Sequence, residues 1–124
     1  MFQIDPFGRI PVYAQVISEL ERFVLIGVYK PQDQVPSVRA LAVESGVNPN
    51  TIQKAYMQME RDGILKSAPG RGRFVTEEAK TIIQSRRRGQ LDGLRESLRA
   101  FAQAGISREE ILECLDEVYT GEGK

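Results

Sequence analysis

Apolar residues recur at helical spacing near the start of the chain. Val12, Val16, Leu20 and Val24 follow one another at four-residue steps, with Tyr13, Ile17 and Phe23 beside them. That period predicts an amphipathic helix of about four turns. Pro11 suits its first position, where a missing N–H costs nothing, and the helix ends near Gly27. Tyr29-Lys30-Pro31-Gln32-Asp33 reads as a loop. A second helix follows Pro36: Ser37 has the hydroxyl of an N-cap, Val38, Leu41 and Ala42 share one side, and Gly46 stands where the chain must leave with positive φ. A third helix opens at once, with Asn48 as N-cap and Pro49 at its first position. Its apolar stripe is Ile52, Ala55, Tyr56 and Met59, and Asp62-Gly63 ends it.

After Gly63 the period changes. Ile64–Ser67 reads as a short strand, Ala68–Gly72 as a tight turn and Arg73–Thr76 as the return strand. The result is a β-hairpin with arginine at its tip. Beyond Thr76 the pattern is helical again. Ala79, Ile82 and Ile83 begin a run that Leu91, Leu94, Leu98 and Phe101 continue, with Gly89 as the place for a kink or interruption, and Ala104-Gly105 closes it. Ser107 and Glu110 form a capping-box pattern before a last helix carrying Ile111, Leu112, Leu115, Val118 and Tyr119.

A helix, a short glycine-containing turn and a second helix make a helix-turn-helix. With the hairpin directly behind it, the pattern predicts a mainly α fold: an N-terminal winged helix-turn-helix over residues 1–76 and a C-terminal two-helix element over residues 77–124. Two terminal helices of this size do not hide both apolar stripes on each other. They either pair with the same element of a second chain or fold back onto the first domain. The pairing reading makes Leu91, Leu94, Leu98, Phe101, Ile111, Leu112, Leu115 and Tyr119 a homodimer interface.

Composition narrows the chemistry. The 124 residues are 41% hydrophobic and 27% charged, as in a soluble globular chain. No apolar run approaches the roughly 18–20 residues of a membrane span. The N-terminus lacks the basic start and apolar stretch of a secretory signal, so a cytoplasmic protein is expected. The one cysteine, Cys114, has no internal disulfide partner. There is no histidine, which removes His-based acid–base chemistry and, with a single cysteine, zinc sites. No phosphate-cradling glycine loop of the P-loop type is present, and no nucleophile–base pair stands out. Neither an enzyme nor a cofactor is indicated.

Net charge is zero, but it is unevenly spread. Residues 37–88 hold ten Lys/Arg against five acids, whereas residues 105–124 hold two against six. A basic face beside an acidic end suits phosphate binding by the first region. The third helix leaves Asn50, Thr51, Gln53, Lys54 and Gln58 off its apolar stripe, side chains of the kind that hydrogen-bond base edges and phosphates. Gly70 and Gly72 let the hairpin backbone approach a surface, and Arg71 brings charge for phosphate or a narrow minor groove. A helix shaped for a groove suits B-form DNA better than RNA, whose major groove is too narrow. A protein-docking adaptor built on the same fold is the alternative. It has no need of Arg39, Lys54, Arg71 and Arg73 together.

Three segments resemble the GntR family of bacterial transcription regulators. They are Val35-Pro36-Ser37-Val38-Arg39-Ala40-Leu41-Ala42, Gly46-Val47-Asn48-Pro49-Asn50-Thr51-Ile52-Gln53-Lys54-Ala55-Tyr56 and Gly70-Arg71-Gly72-Arg73-Phe74-Val75. The likeness covers about residues 10–76. The Asn-Pro-Asn-Thr helix start and the Gly-Arg-Gly hairpin resemble the short YtrA-type branch, which carries only a small two-helix dimerisation element. The resemblance implies that Arg39 contacts DNA backbone or a base, that Asn48, Asn50, Thr51 and Gln53 read bases or clamp phosphates, and that Gly70 and Arg71 place the wing at the minor groove. With the charge and turn arguments, the candidate DNA-binding set is Ser37, Arg39, Asn48, Asn50, Thr51, Gln53, Lys54, Gly70, Arg71, Gly72 and Arg73. Family members are usually dimeric repressors on inverted-repeat operators. The larger branches bind metabolites in a far longer C-terminal domain; only 48 residues follow Thr76 here, so a comparable metabolite pocket is not expected, and the effector, if there is one, is not identified by the sequence. Two departures stand out: Pro31-Gln32 where the family has Pro-Gly, and Val35 where it has Leu.

Overall fold

The computed structural model describes residues 3–121. Its elements are α1 (Val12–Leu25), α2 (Val38–Ser45), α3 (Pro49–Arg61), β1 (Leu65–Ala68), β2 (Gly72–Val75), α4 (Ala79–Gly89), α5 (Leu91–Gln103) and α6 (Arg108–Thr120). They fall into two compact units, residues 1–86 and 87–124. The division comes inside α4, later than the change of composition at Thr76, because Ala79 and Ile83 pack into the core of the first unit.

Local signals explain the helix ends of that unit. Pro11 occupies the cap position of α1 (φ −54, ψ 145), one residue ahead of the predicted place. Ser37 Oγ accepts the Ala40 N–H at 3.0 Å and starts α2. Gly46, at φ 72, ends it in the left-handed region that a side chain disfavours. Asn48 Oδ1 accepts the Asn50 N–H at 2.8 Å, and Pro49 follows at the head of α3. At the other end of α3, Gly63 takes φ 82 and the Ile64 N–H folds back on the Met59 carbonyl at 2.9 Å. This closure draws Ile64 into the helix cap, so β1 begins at Leu65, one residue later than the alternation predicts.

The core is the set of stripes the periodicity marks. Val16, Leu20 and Val24 of α1 meet Leu41 of α2 and Ile52, Ala55, Tyr56 and Met59 of α3, with Ile64, Leu65 and Val75 from the hairpin. Each large side chain removed from water contributes about 1.5–3 kcal/mol. Tyr56 is fully buried, and its hydroxyl donates to the Pro36 carbonyl at 2.7 Å, so no polar atom is stranded. The strands pair antiparallel from Leu65–Val75 to Ala68–Gly72. A third stretch joins them. Gln34 bridges Phe74, the Val35 N–H donates to Arg73 O, the Gln32 N–H to Val75 O, and the Val75 N–H to Asp33 O. Buried Glu21 of α1 is neutralised by Arg86 Nη1 at 2.7 Å, and Arg86 Nη2 lies 3.4 Å from Asp62 Oδ2.

In the second unit, the helical run breaks at Gln90, next to the glycine that marked the interruption. Ser107 Oγ accepts the Glu110 N–H at 3.1 Å and caps α6. The Glu110 carboxylate turns to the Ser107 hydroxyl, at 3.5 Å, instead of the backbone N–H of a full capping box. No described residue of α5 or α6 is buried.

Candidate nucleic-acid interface

One face of α3 is consumed by the core, which fixes what the other presents. Asn50, Gln53 and Lys54 are exposed and Thr51 is half-buried, all in the first two turns. The same helix end carries the positive pole of the helix dipole, which favours phosphate, although its leading N–H groups are already taken: Asn50 donates to the Asn48 side chain, and Thr51 and Ile52 donate to the Asn48 carbonyl. Lys54 reaches back to α1, its Nζ 4.0 Å from the Tyr13 ring centroid. Such a contact holds the ammonium over the aromatic face without burying it. Arg39 is exposed on α2 and makes no ion pair among the described residues. The oxygens of Ser37 and Asn48 serve as helix caps, so both residues shape the turn that aims α3. Gln58 is turned to the far end of α3, where its amide donates to Asp62 and its oxygen accepts from Arg61.

The wing tip is Pro69-Gly70-Arg71, closed by the Arg71 N–H on Ala68 O at 2.9 Å. Gly70 holds φ 74 and Gly72 φ 114. A Cβ on Gly72 would come within 2.5 Å of Gln34 Nε2. That amide fills the space and donates to the Arg71 carbonyl at 2.8 Å. Gly72 therefore serves an internal brace, where the sequence suggested an approach to an outside surface. Arg71 is exposed.

Arg73 is half-buried and differently engaged. Its Nε donates to Glu60 Oε1 at 2.6 Å, and its guanidinium carbon lies 5.3 Å from the Tyr56 ring centroid. Glu60 also accepts from Ser67 Oγ at 2.8 Å. Burial pushes the Glu60 carboxyl up, but the hydrogen bonds from Arg73 and Ser67 and the arginine's charge outweigh it and hold the group below the ordinary glutamate range. Burial raises the Tyr56 phenol well above its usual value, so it remains a donor. Glu60 and Gln34 were missed by sequence reasoning. Their only advance signal is polarity beside the hairpin.

The described residues hold no cluster of three metal-ligating His, Cys, Asp or Glu, and no helix long and apolar enough to cross a membrane.

A helix-turn-helix whose second helix shows a polar face at its leading end, backed by an arginine-tipped hairpin, defines a winged-helix DNA-binding regulator. This chain belongs to the GntR family: residues 12–75 match the family described as "Bacterial regulatory proteins, gntR family". It is a DNA-binding transcriptional regulator of that family. It is 38% identical over 122 residues to the HTH-type transcriptional repressor YtrA of Bacillus subtilis, spanning 95% of this chain and 92% of that protein. A GntR family transcriptional regulator from Listeria monocytogenes superposes with a TM-score of 0.74 at 28% identity, covering 92% of this chain and 98% of the other. The DNA-binding domain of AraR, solved in complex with operator ORR3, matches with a TM-score of 0.53 at 32% identity, covering 61% of this chain and 95% of that one.

Proposed function

We propose that the protein is a cytoplasmic repressor that binds an inverted-repeat DNA operator as a homodimer. Asn50, Thr51 and Gln53 read base edges in the major groove, Arg39 and Lys54 hold phosphates, and Arg71 carries the wing to the adjacent backbone or minor groove. Residues 77–124 form the dimerisation element. The observation that carries the dimer is the apolar surface of α5 and α6. Leu91, Leu94, Leu98, Phe101, Leu112, Leu115 and Tyr119 are all exposed within one chain. Contiguous apolar surface of this kind marks an interface. Ile111, half-buried, extends the same set. Two observations support repression of DNA targets: the near full-length likeness to a protein named as a repressor, and the likeness of the first unit to a domain solved on operator DNA.

The experiment is selection from a pool of random duplexes by the full chain. The expected product is a pair of inverted half-sites about one helical turn apart, roughly 10 bp centre to centre. Recovery of single half-sites or direct repeats contradicts the reading.

A further inference from the structure

Glu60 stands in the last turn of α3 and joins that helix to both strands of the wing. One carboxylate oxygen accepts from Ser67 of β1 at 2.8 Å, the other from Arg73 of β2 at 2.6 Å. The pair is sheltered, with 28% of the Glu60 side chain and 20% of the Arg73 side chain exposed. On its far side the guanidinium meets Tyr56, four residues earlier on α3 and fully buried. The only covalent link between α3 and β1 is Asp62-Gly63-Ile64, whose glycine sits in the left-handed region. The base of the hairpin is fixed by Ile64, Leu65 and Val75 in the core and, on the β2 side, by residues 32–35; on the α3 side it is Glu60 that grips the hairpin beyond this base, at the cross-strand pair Ser67 and Arg73.

We infer that Glu60 is a positioning residue for DNA binding: it sets the angle of the wing on α3, so that Arg71 meets the DNA while α3 lies in the major groove. The inference rests on the proposed DNA contact of the wing. A partly exposed ion pair adds little to stability. The value of this one lies in geometry, because both oxygens are used and each holds a different strand. Arg73 then serves the interface from behind, as the strut between Glu60 and β2.

The test is a double-mutant comparison of the full chain on a 24-bp random-sequence duplex, reading the slope of log K against log salt. Four proteins are compared: the natural chain, Arg71→Ala, Glu60→Gln and the double variant. In the natural background, Arg71→Ala lowers the slope by about 0.9 for each wing engaged, as loss of one phosphate contact requires. With Glu60→Gln already present, the same change lowers it by less than half as much, because the wing tip no longer meets the backbone. Loss of the Glu60 charge, or release of Arg73, alters both Glu60 variants alike and cancels in the difference. A merely structural Glu60 would lower thermal stability and leave the two decrements equal, and that result overturns the inference. If Arg71→Ala has no effect in the natural background, the wing does not touch DNA, and the reading beneath the inference fails with it. Should Glu60→Gln not fold, Ser67→Ala removes the β1 arm alone and carries the same comparison, with a smaller reduction expected.

Discussion

Gln32 holds φ 73, the only positive φ among the described non-glycine residues. It stands where the resemblance noted above implies glycine, and it takes a backbone conformation that glycine adopts freely. Two bonds hold the residue there: its N–H donates to Val75 O at 2.8 Å, and its side-chain amide donates to Glu77 at 2.7 Å. A left-handed conformation costs an L-residue about 1–2 kcal/mol, part of which glycine gives back through its freer unfolded chain. Gln32→Gly should therefore be more stable than Gln32→Ala by about 1 kcal/mol in urea unfolding. Equal stabilities would mean that the turn relaxes when the side chain goes. At this scale the legible residues were those acting on near neighbours: Ser37, Gly46, Asn48 and Ser107 all cap the helices that their positions predicted. Glu60, Gln34 and Glu21 were illegible because their partners lie 13, 37 and 65 residues away. A carboxylate or amide in a sequence does not say which distant group the fold will bring to it.

Elements show the same division. The amphipathic period located α1, α3 and the broken run of α4 and α5, since one apolar stripe per helix is enough to define its buried face. The hairpin was read one residue out of place, because the closure of α3 on Met59 takes Ile64 from the strand. The pairing of residues 32–35 with β2 left no alternation to read: Gln32-Asp33-Gln34 is uniformly polar, and only Val35 enters the core. In α5 and α6 the stripes were legible and remain uncovered within the chain. Leu98, near the middle of α5, is the place to test what covers them. Light scattering at micromolar concentration should give the natural chain twice its 13.9 kDa mass, and Leu98→Asp a mass near one chain. A buried charge without a partner is costly enough to undo such an interface. A natural chain that scatters as a monomer removes the dimer.

For the whole molecule, zero net charge hides a functional split. The basic stretch, residues 37–88, holds the helix-turn-helix and the wing, and the acidic stretch, residues 105–124, contains α6. On the proposed reading, long-range attraction to DNA should come mainly from the basic stretch, which bears Arg39, Lys54 and Arg71. A two-fold dimer offers two copies of α3 to one face of the duplex, each to its own half-site. The direct measurement is binding of the full chain to its selected operator, with and without five base pairs inserted between the half-sites. The insertion turns the second half-site by about half a helical turn, onto the opposite face. High-affinity binding should be lost, leaving the weak, salt-sensitive association of one head. Unchanged affinity after the insertion would contradict a dimer that reads both half-sites together.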